Sequence, residues 1–195
     1  MAEQIRDGTG DGFLTKVNNQ NQLVVRSVTA AQQTQSAVRG EYYEAFTGLI
    51  NLTDANETGV LSLAPTPAGL VVVIDVIFID TFDSTGGSGS GKLRYYRNPT
   101  VSGGSTITPV NNNFGDETEI PGVFRSSPTV SGGINFATAN LGANGFLALE
   151  EEKIVVPAGF TFAITYTAPA GNLGMDYSAN IGMYLLDETL FGKVK

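Results

Sequence analysis

Two acidic clusters are the stretches of this chain whose residue types could do chemistry: Asp116-Glu117-Thr118-Glu119 and Glu150-Glu151-Glu152. Paired carboxylates can cleave a glycosidic bond by themselves, one as acid and the other as nucleophile or base. They would have to act alone, because none of the 195 residues is histidine or cysteine. The usual proton shuttle and the usual thiolate nucleophile are therefore absent, and with them zinc sites, histidine-based triads and disulfides. A sugar groove normally offers flat aromatic platforms, yet the chain has no tryptophan. Consecutive glutamates at a strand end read more simply as a solvated turn. The chain is therefore read as a non-enzyme, with no catalytic residue, metal ligand or cofactor.

Other motifs also favour their plainer readings. Gly86 and Gly91-Lys92 have the G-x-x-x-x-G-K spacing of a phosphate-cradling loop. That motif needs Ser or Thr next, to hold magnesium, and a helix after the loop; here Leu93 follows and Leu93-Arg94-Tyr95-Tyr96-Arg97 reads as a strand. A flexible Gly/Ser connection fits better. Asp7-Gly8-Thr9-Gly10-Asp11-Gly12 resembles the opening of a calcium loop, but the closing glutamate would fall at Asn18. The sequons Asn51-Leu52-Thr53 and Asn56-Glu57-Thr58 follow no secretory signal and read as chance. The pairs Tyr42-Tyr43 and Tyr95-Tyr96 could stack on a ligand. Neighbours in a strand face opposite ways, so one ring inward and one outward is expected.

The elements that would carry these residues are strands. Phe13 to Val17, a polar turn over Asn18 to Gln22, and Leu23 to Val28 read as a hairpin, which must lean on something else to be stable. Thr29 to Arg39 has no sustained period and reads as an extended linker rather than a short helix. Beyond Glu41, strands are expected at Tyr42–Phe46, Leu49–Leu52, Val60–Leu63, Leu70–Ile79, Lys92–Arg97, Thr106–Val110, Phe146–Glu150, Lys153–Val156, Phe160–Tyr166 and Ile181–Leu185. In the strongest, Leu70, Val72, Ile74, Val76 and Phe78 share one face, and Val71, Val73, Ile77 and Ile79 share the other, interrupted by Asp75. Such a strand is either doubly covered or meets a neighbouring subunit. Phe160, Phe162, Ile164 and Tyr166 alternate with Thr161, Ala163, Thr165 and Thr167, a pattern that predicts one buried face. Pro99-Thr100-Val101-Ser102-Gly103-Gly104 recurs unchanged as Pro128 to Gly133, which predicts two equivalent turns on two long loops rather than a solenoid. The fold class is all-β: an antiparallel β-sandwich of jelly-roll type over residues 41–190, preceded by an N-terminal arm and hairpin over residues 1–40.

The totals agree with a structural or binding role. Hydrophobic residues make up 42%, enough for a core, but only 15% are charged, well below the usual ~25%. Some surface is therefore expected to be covered by copies of the chain or by a partner. A net charge of −8 with scattered Lys and Arg disfavours nucleic acid. The longest apolar run, Leu70 to Ile74, is too short to span a membrane. With no signal-like stretch at the N-terminus and no cysteine, folding in a cytoplasm is expected.

Several stretches resemble a diffuse family of tailed-bacteriophage virion proteins. They are Ile5 to Val17, Asn21-Gln22-Leu23 and Arg26-Ser27-Val28-Thr29, then Tyr96-Arg97-Asn98-Pro99-Thr100-Val101-Ser102-Gly103-Gly104 with Ile107-Thr108-Pro109-Val110-Asn111-Asn112-Asn113. The second Pro-Thr-Val-Ser-Gly-Gly and Val156-Pro157-Ala158-Gly159 also fit, while acidic Asp116, Glu117 and Glu119 depart from the Ser/Asn-rich run the pattern would have. The resemblance implies a jelly-roll virion protein, often trimeric, acting as decoration, cement or fibre. The expected role is a capsid decoration protein at the virion surface, assembled in the host cytoplasm, with the major capsid protein and two further copies as partners. The alternative is a head-fibre or tail-associated protein that binds a receptor or glycan. Phe13, Leu14, Val17, Leu23 and Val25 are the expected docking residues; packing of Leu23 and Val25 on their own sandwich is the competing reading.

Overall fold

A computed structural model describes residues 41–52, 56–64, 68–83, 89–115, 120, 123–169 and 175–187. The arm and hairpin expected over residues 1–40 lie outside them. The described residues form fourteen strands: β1 (Tyr42–Phe46), β2 (Ile50–Leu52), β3 (Glu57–Ala64), β4 (Leu70–Asp83), β5 (Ser90–Arg97), β6 (Thr100–Ser102), β7 (Ser105–Ile107), β8 (Val110–Asn111), β9 (Val123–Ser126), β10 (Thr129–Ser131), β11 (Ile134–Gly142), β12 (Gly145–Val156), β13 (Phe162–Thr167) and β14 (Met175–Asp187).

Every pairing is antiparallel. The first sheet runs β12-β4-β14-β1-β8, with β2 also on β14, and the second runs β11-β5-β13-β3-β9-β7. The principal strands, in chain order, are β1, β3, β4, β5, β11, β12, β13 and β14. Numbered in that order, the first sheet holds them as sixth, third, eighth, first and the second as fifth, fourth, seventh, second. That alternation of long strands between two sheets is the jelly-roll connectivity. Side chains from both sheets meet in one core, among them Tyr43, Ile74, Ile77, Ile181 and Met183 from the first and Leu61, Leu93, Phe124, Ile164 and Tyr166 from the second. Burial of each aliphatic or aromatic side chain here is worth roughly 1.5–3 kcal/mol.

The longest strand departs from simple alternation. Val76 pairs with Gly182 and Ile74 with Met183, so Asp75 is an extra residue in β4, and β12 shifts at the same level between Glu150 and Ile154. A bulge of this kind resets the two-residue period. Val72, Ile74, Ile77 and Ile79 therefore all enter the core. The sequence reading grouped Ile77 and Ile79 with Val71 and Val73; the bulge separates them. Glu150 and Lys153, expected to close one strand and open the next, belong to the single strand β12. Pro109 divides the expected Thr106–Val110 strand into β7 and β8.

The second sheet also corrects an expectation. Phe162, Ile164 and Tyr166 face the core, as the alternation predicts. The other face of β13 is not open to water: Ala163 and Thr165 are 0% and 2% exposed. Beside Thr165 lies a small ribbon formed by the two copies of the repeat.

Candidate functional site

The repeat copies sit on two separate connections, β5 to β7 and β9 to β11, and they pair with each other. β6 and β10 form a two-stranded ribbon with Val101 opposite Val130 and Thr129 opposite Ser102, so the two copies are related by a local two-fold axis through the valines. The residue before each proline takes a left-handed conformation, Asn98 at φ 51 and Ser127 at φ 50. Each uses its backbone N–H to anchor the ribbon: Asn98 donates to the Thr161 carbonyl (2.8 Å) and Ser127 to the Val60 carbonyl (3.2 Å). The glycine pairs that end the copies are also left-handed, which glycine tolerates without strain. The packing is reciprocal. A Cβ on Gly104 would strike Pro128 and the Ser126 carbonyl, and one on Gly133 would strike Pro99.

The ribbon reaches the sheet because Gly59 in β3 has no side chain; a Cβ there would collide with the Pro128 carbonyl. Tyr177 crosses from β14 in the first sheet, donates its hydroxyl to the Gly59 carbonyl (3.1 Å) and lies 3.1 Å from the Ser127 hydroxyl. Burial raises the Tyr177 pKa, offset in part by the Ser127 hydrogen bond, and the phenol stays a donor at neutral pH.

Between ribbon and sheet lies a cleft of about 250 Å³ lined by Glu57, Gly59, Tyr96, Thr165, Val130, Ser131 and Gly132. Glu57 is its hub. One carboxylate oxygen accepts from the Tyr96 hydroxyl (2.8 Å) and the Thr165 hydroxyl (2.5 Å), and the other lies 3.1 Å from the Arg94 guanidinium. Arg94 also donates to the Thr167 hydroxyl (2.8 Å). Desolvation, then the hydrogen bond to Glu57, pushes the Tyr96 pKa up, so its phenol is a donor across the physiological range. The cleft thus presents hydroxyls and one carboxylate paired with Arg94. Glycoside hydrolysis uses two carboxylates, and the lining supplies one. What this arrangement offers is hydrogen bonding.

A second surface is apolar. On the outer face of the first sheet, Tyr42, Val71, Val73 and Tyr184 form a buried cluster with Leu186 against it. Farther along the same face, Phe46, Phe82 and Phe146 are 59%, 57% and 66% exposed. Phe146 stacks on Phe78 with ring centres 5.9 Å apart. Sequence reading expected the longest strand to be doubly covered or to meet a neighbouring subunit, but it did not single out Phe46, Phe82 or Phe146.

The other sequence candidates resolve as follows. Phe13, Leu14, Val17, Leu23 and Val25 lie outside the described residues, as do Asp7 to Gly12 and Asp116 to Glu119. Glu150, Glu151 and Glu152 run through β12, with their side chains outside the description. Lys92 and Leu93 belong to β5, which bears out the strand reading of that stretch. The tyrosine pairs split as expected: Tyr43 and Tyr95 enter the core, whereas Tyr42 faces outward into the second cluster and Tyr96 into the cleft. Among the described residues, no group of three or more acidic side chains gathers in a way that could hold a metal. The ribbon was legible only as a repeat, and Glu57 only as part of a sequon.

Fold and surfaces together define an all-β antiparallel sandwich with a ribbon sealed onto one sheet and an apolar face on the other. No protein-family model matches the chain, and no curated protein matches it.

Proposed function

We propose that this protein is a structural component of a bacteriophage virion, a capsid decoration or cement protein that binds the assembled major capsid shell and stabilises it. The observation that carries the reading is the outer face of the first sheet, where large apolar side chains remain exposed. An exposed apolar patch on a soluble fold marks an interaction surface. The low charged fraction and the motif resemblance at the N-terminus, in the repeat loops and at Val156-Pro157-Ala158-Gly159 point the same way. The protein acts as a homotrimer at the capsid surface after assembly in the host cytoplasm, and it works by buried area. At ~25 cal/mol per Å², about 400 Å² of apolar contact corresponds to roughly 10 kcal/mol before the entropy of association is subtracted, and a shell repeats that gain at every site. Purified protein is expected to bind shells assembled without it and to raise their melting temperature. Shells that neither bind it nor melt later would refute the reading.

The polar cleft favours one alternative, a head-fibre or tail-associated protein that recognises a glycan. The Tyr96 and Thr165 hydroxyls give their protons to Glu57, so they and its carboxylate present acceptor oxygens to sugar hydroxyls. Copy number per particle separates the two: a decoration protein follows the shell lattice, a receptor binder occupies a few special positions.

A further inference from the structure

The described charges are unevenly distributed between the sheets. Lys92, Arg94, Arg97 and Arg125, the cations whose side chains are described, lie in β5 and β9 of the second sheet, and Lys153 belongs to β12 of the first. The outer face of the first sheet carries Glu44, Asp80 and Asp176 around its exposed phenylalanines. Glu44 and Asp176 are steadied by amides: Asn112 and Asn180 donate to Glu44, and Asn51 donates to Asp176 (2.8 Å). The register sets these groups side by side. Phe46, Asn180, Phe78 and Ala148 lie in one row across the sheet, and Asp80 sits opposite Phe146 one row away. The Asn180 Oδ1 atom is buried there with no hydrogen-bond partner.

We infer that this face, centred on Phe46, Phe78, Phe82 and Phe146, docks a surface of a different protein that is both apolar and positively charged. A second copy joined through the same face would set Glu44, Asp80 and Asp176 against their own equivalents, and like charges at a closing interface are unfavourable. A second copy presenting its other sheet is the poorer complement: Arg94 is held by Glu57, Arg125 donates to the Gly103 carbonyl (3.1 Å), Arg97 lies over the Phe160 ring, and exposed Lys92 stands at the opposite end of β5 from the exposed Ile134 and Phe136. The inference deepens the shell-binding reading and rests on it only for naming the shell as the occupant.

The test uses the full chain, a Phe46→Ser/Phe82→Ser/Phe146→Ser variant, an Asp80→Lys variant that keeps every phenylalanine, and an Ile134→Ser/Phe136→Ser control on the second sheet. Circular dichroism confirms that each is folded. Two probes are used: shells assembled without the protein, and a peptide of alternating leucine and lysine. Wild type and control should bind the peptide, both face variants should bind about tenfold more weakly, and raising NaCl from about 0.05 to about 0.5 M should weaken the wild type. Shells should rank the four proteins in the same order. Undiminished peptide binding by the phenylalanine variant, no binding by the wild type, or self-association that this variant abolishes would each overturn the inference. Face-dependent peptide binding without shell binding would leave the inference standing and remove the shell reading.

Discussion

On the second sheet, Gly59 makes room for a carbonyl from elsewhere in the chain, and the paired repeats close over that face beside the cleft that Thr165 lines. On the first sheet, the corresponding bare position is Gly182, and the space above it is taken by the Tyr42 hydroxyl and by Val76 of its own sheet. The same device, a glycine within a strand, admits a distant element on one face and an adjacent ring on the other. The second face is thereby completed by the protein itself. The first is completed only at one end, around Tyr42, Val73 and Tyr184, and keeps Phe46, Phe82 and Phe146 exposed at the other. A sheet with a polar, satisfied cover has little left to offer a partner. A sheet with exposed rings has a reason to seek one.

The contrast can be broken most sharply at Gly59. Gly59→Ala should destabilise the fold by about 3 kcal/mol, because its neighbour is backbone that cannot rotate away, and thermal unfolding should show Tm lower by roughly 6–10 °C. Next come the paired glycines of the second repeat. Gly133→Ala combines a left-handed backbone (φ +79) with a collision against Pro99, whereas Gly132→Ala at φ +65 meets nothing within 4 Å. Urea unfolding should therefore give losses of about 2 kcal/mol and about 1 kcal/mol respectively. Equal losses would mean that the reciprocal packing of the two repeats contributes nothing.

Between the two faces, Tyr166 serves as a core reference. Its hydroxyl donates to the Leu141 carbonyl (3.2 Å), and burial pushes its pKa to about 12 from the ordinary value of 10.0. The raised folded value means the neutral phenol stabilises the fold fully below pH 10 and that this contribution is lost as pH climbs from 10 toward 12. Tyr166→Phe should cost about 1 kcal/mol at neutral pH and flatten the loss of stability in that alkaline window, read by circular dichroism against pH. The smallest effect belongs to the open face. Phe82→Ser and Phe146→Ser should each change stability by less than about 0.5 kcal/mol, since those rings bury little in the isolated protein. A large loss in urea unfolding would show that the face is already occupied.

Much of this architecture was readable before folding. The strands β1, β4, β5 and β13 were visible because alternation of large apolar residues is a local property of an extended chain. β11 was not, because an edge strand with side chains such as Asn135, Thr138 and Asn140 has no buried stripe to display. Its bulge at Phe136 turns that ring toward Tyr95 and Phe162, 6.3 and 6.4 Å away, which no local pattern announces. The Glu57 cleft was hidden for a similar reason: Arg94 and Tyr96 on one strand and Thr165 on another are distant in sequence from Glu57 and reach it only through the pairing of β13 with β3 and β5.

By itself, the order of residues determined an all-β chain, the absence of histidine and cysteine side chains, the opposite facing of the two members of each tyrosine pair, and the existence of two identical turns. Tertiary structure alone decided that those turns pair across a two-fold axis and seal one sheet, and that a bulge at Asp75 re-phases the longest strand. The physical reason is one of range. Periodicity and turn chemistry act over a few residues, whereas which face is covered depends on strands brought together from opposite ends of the chain.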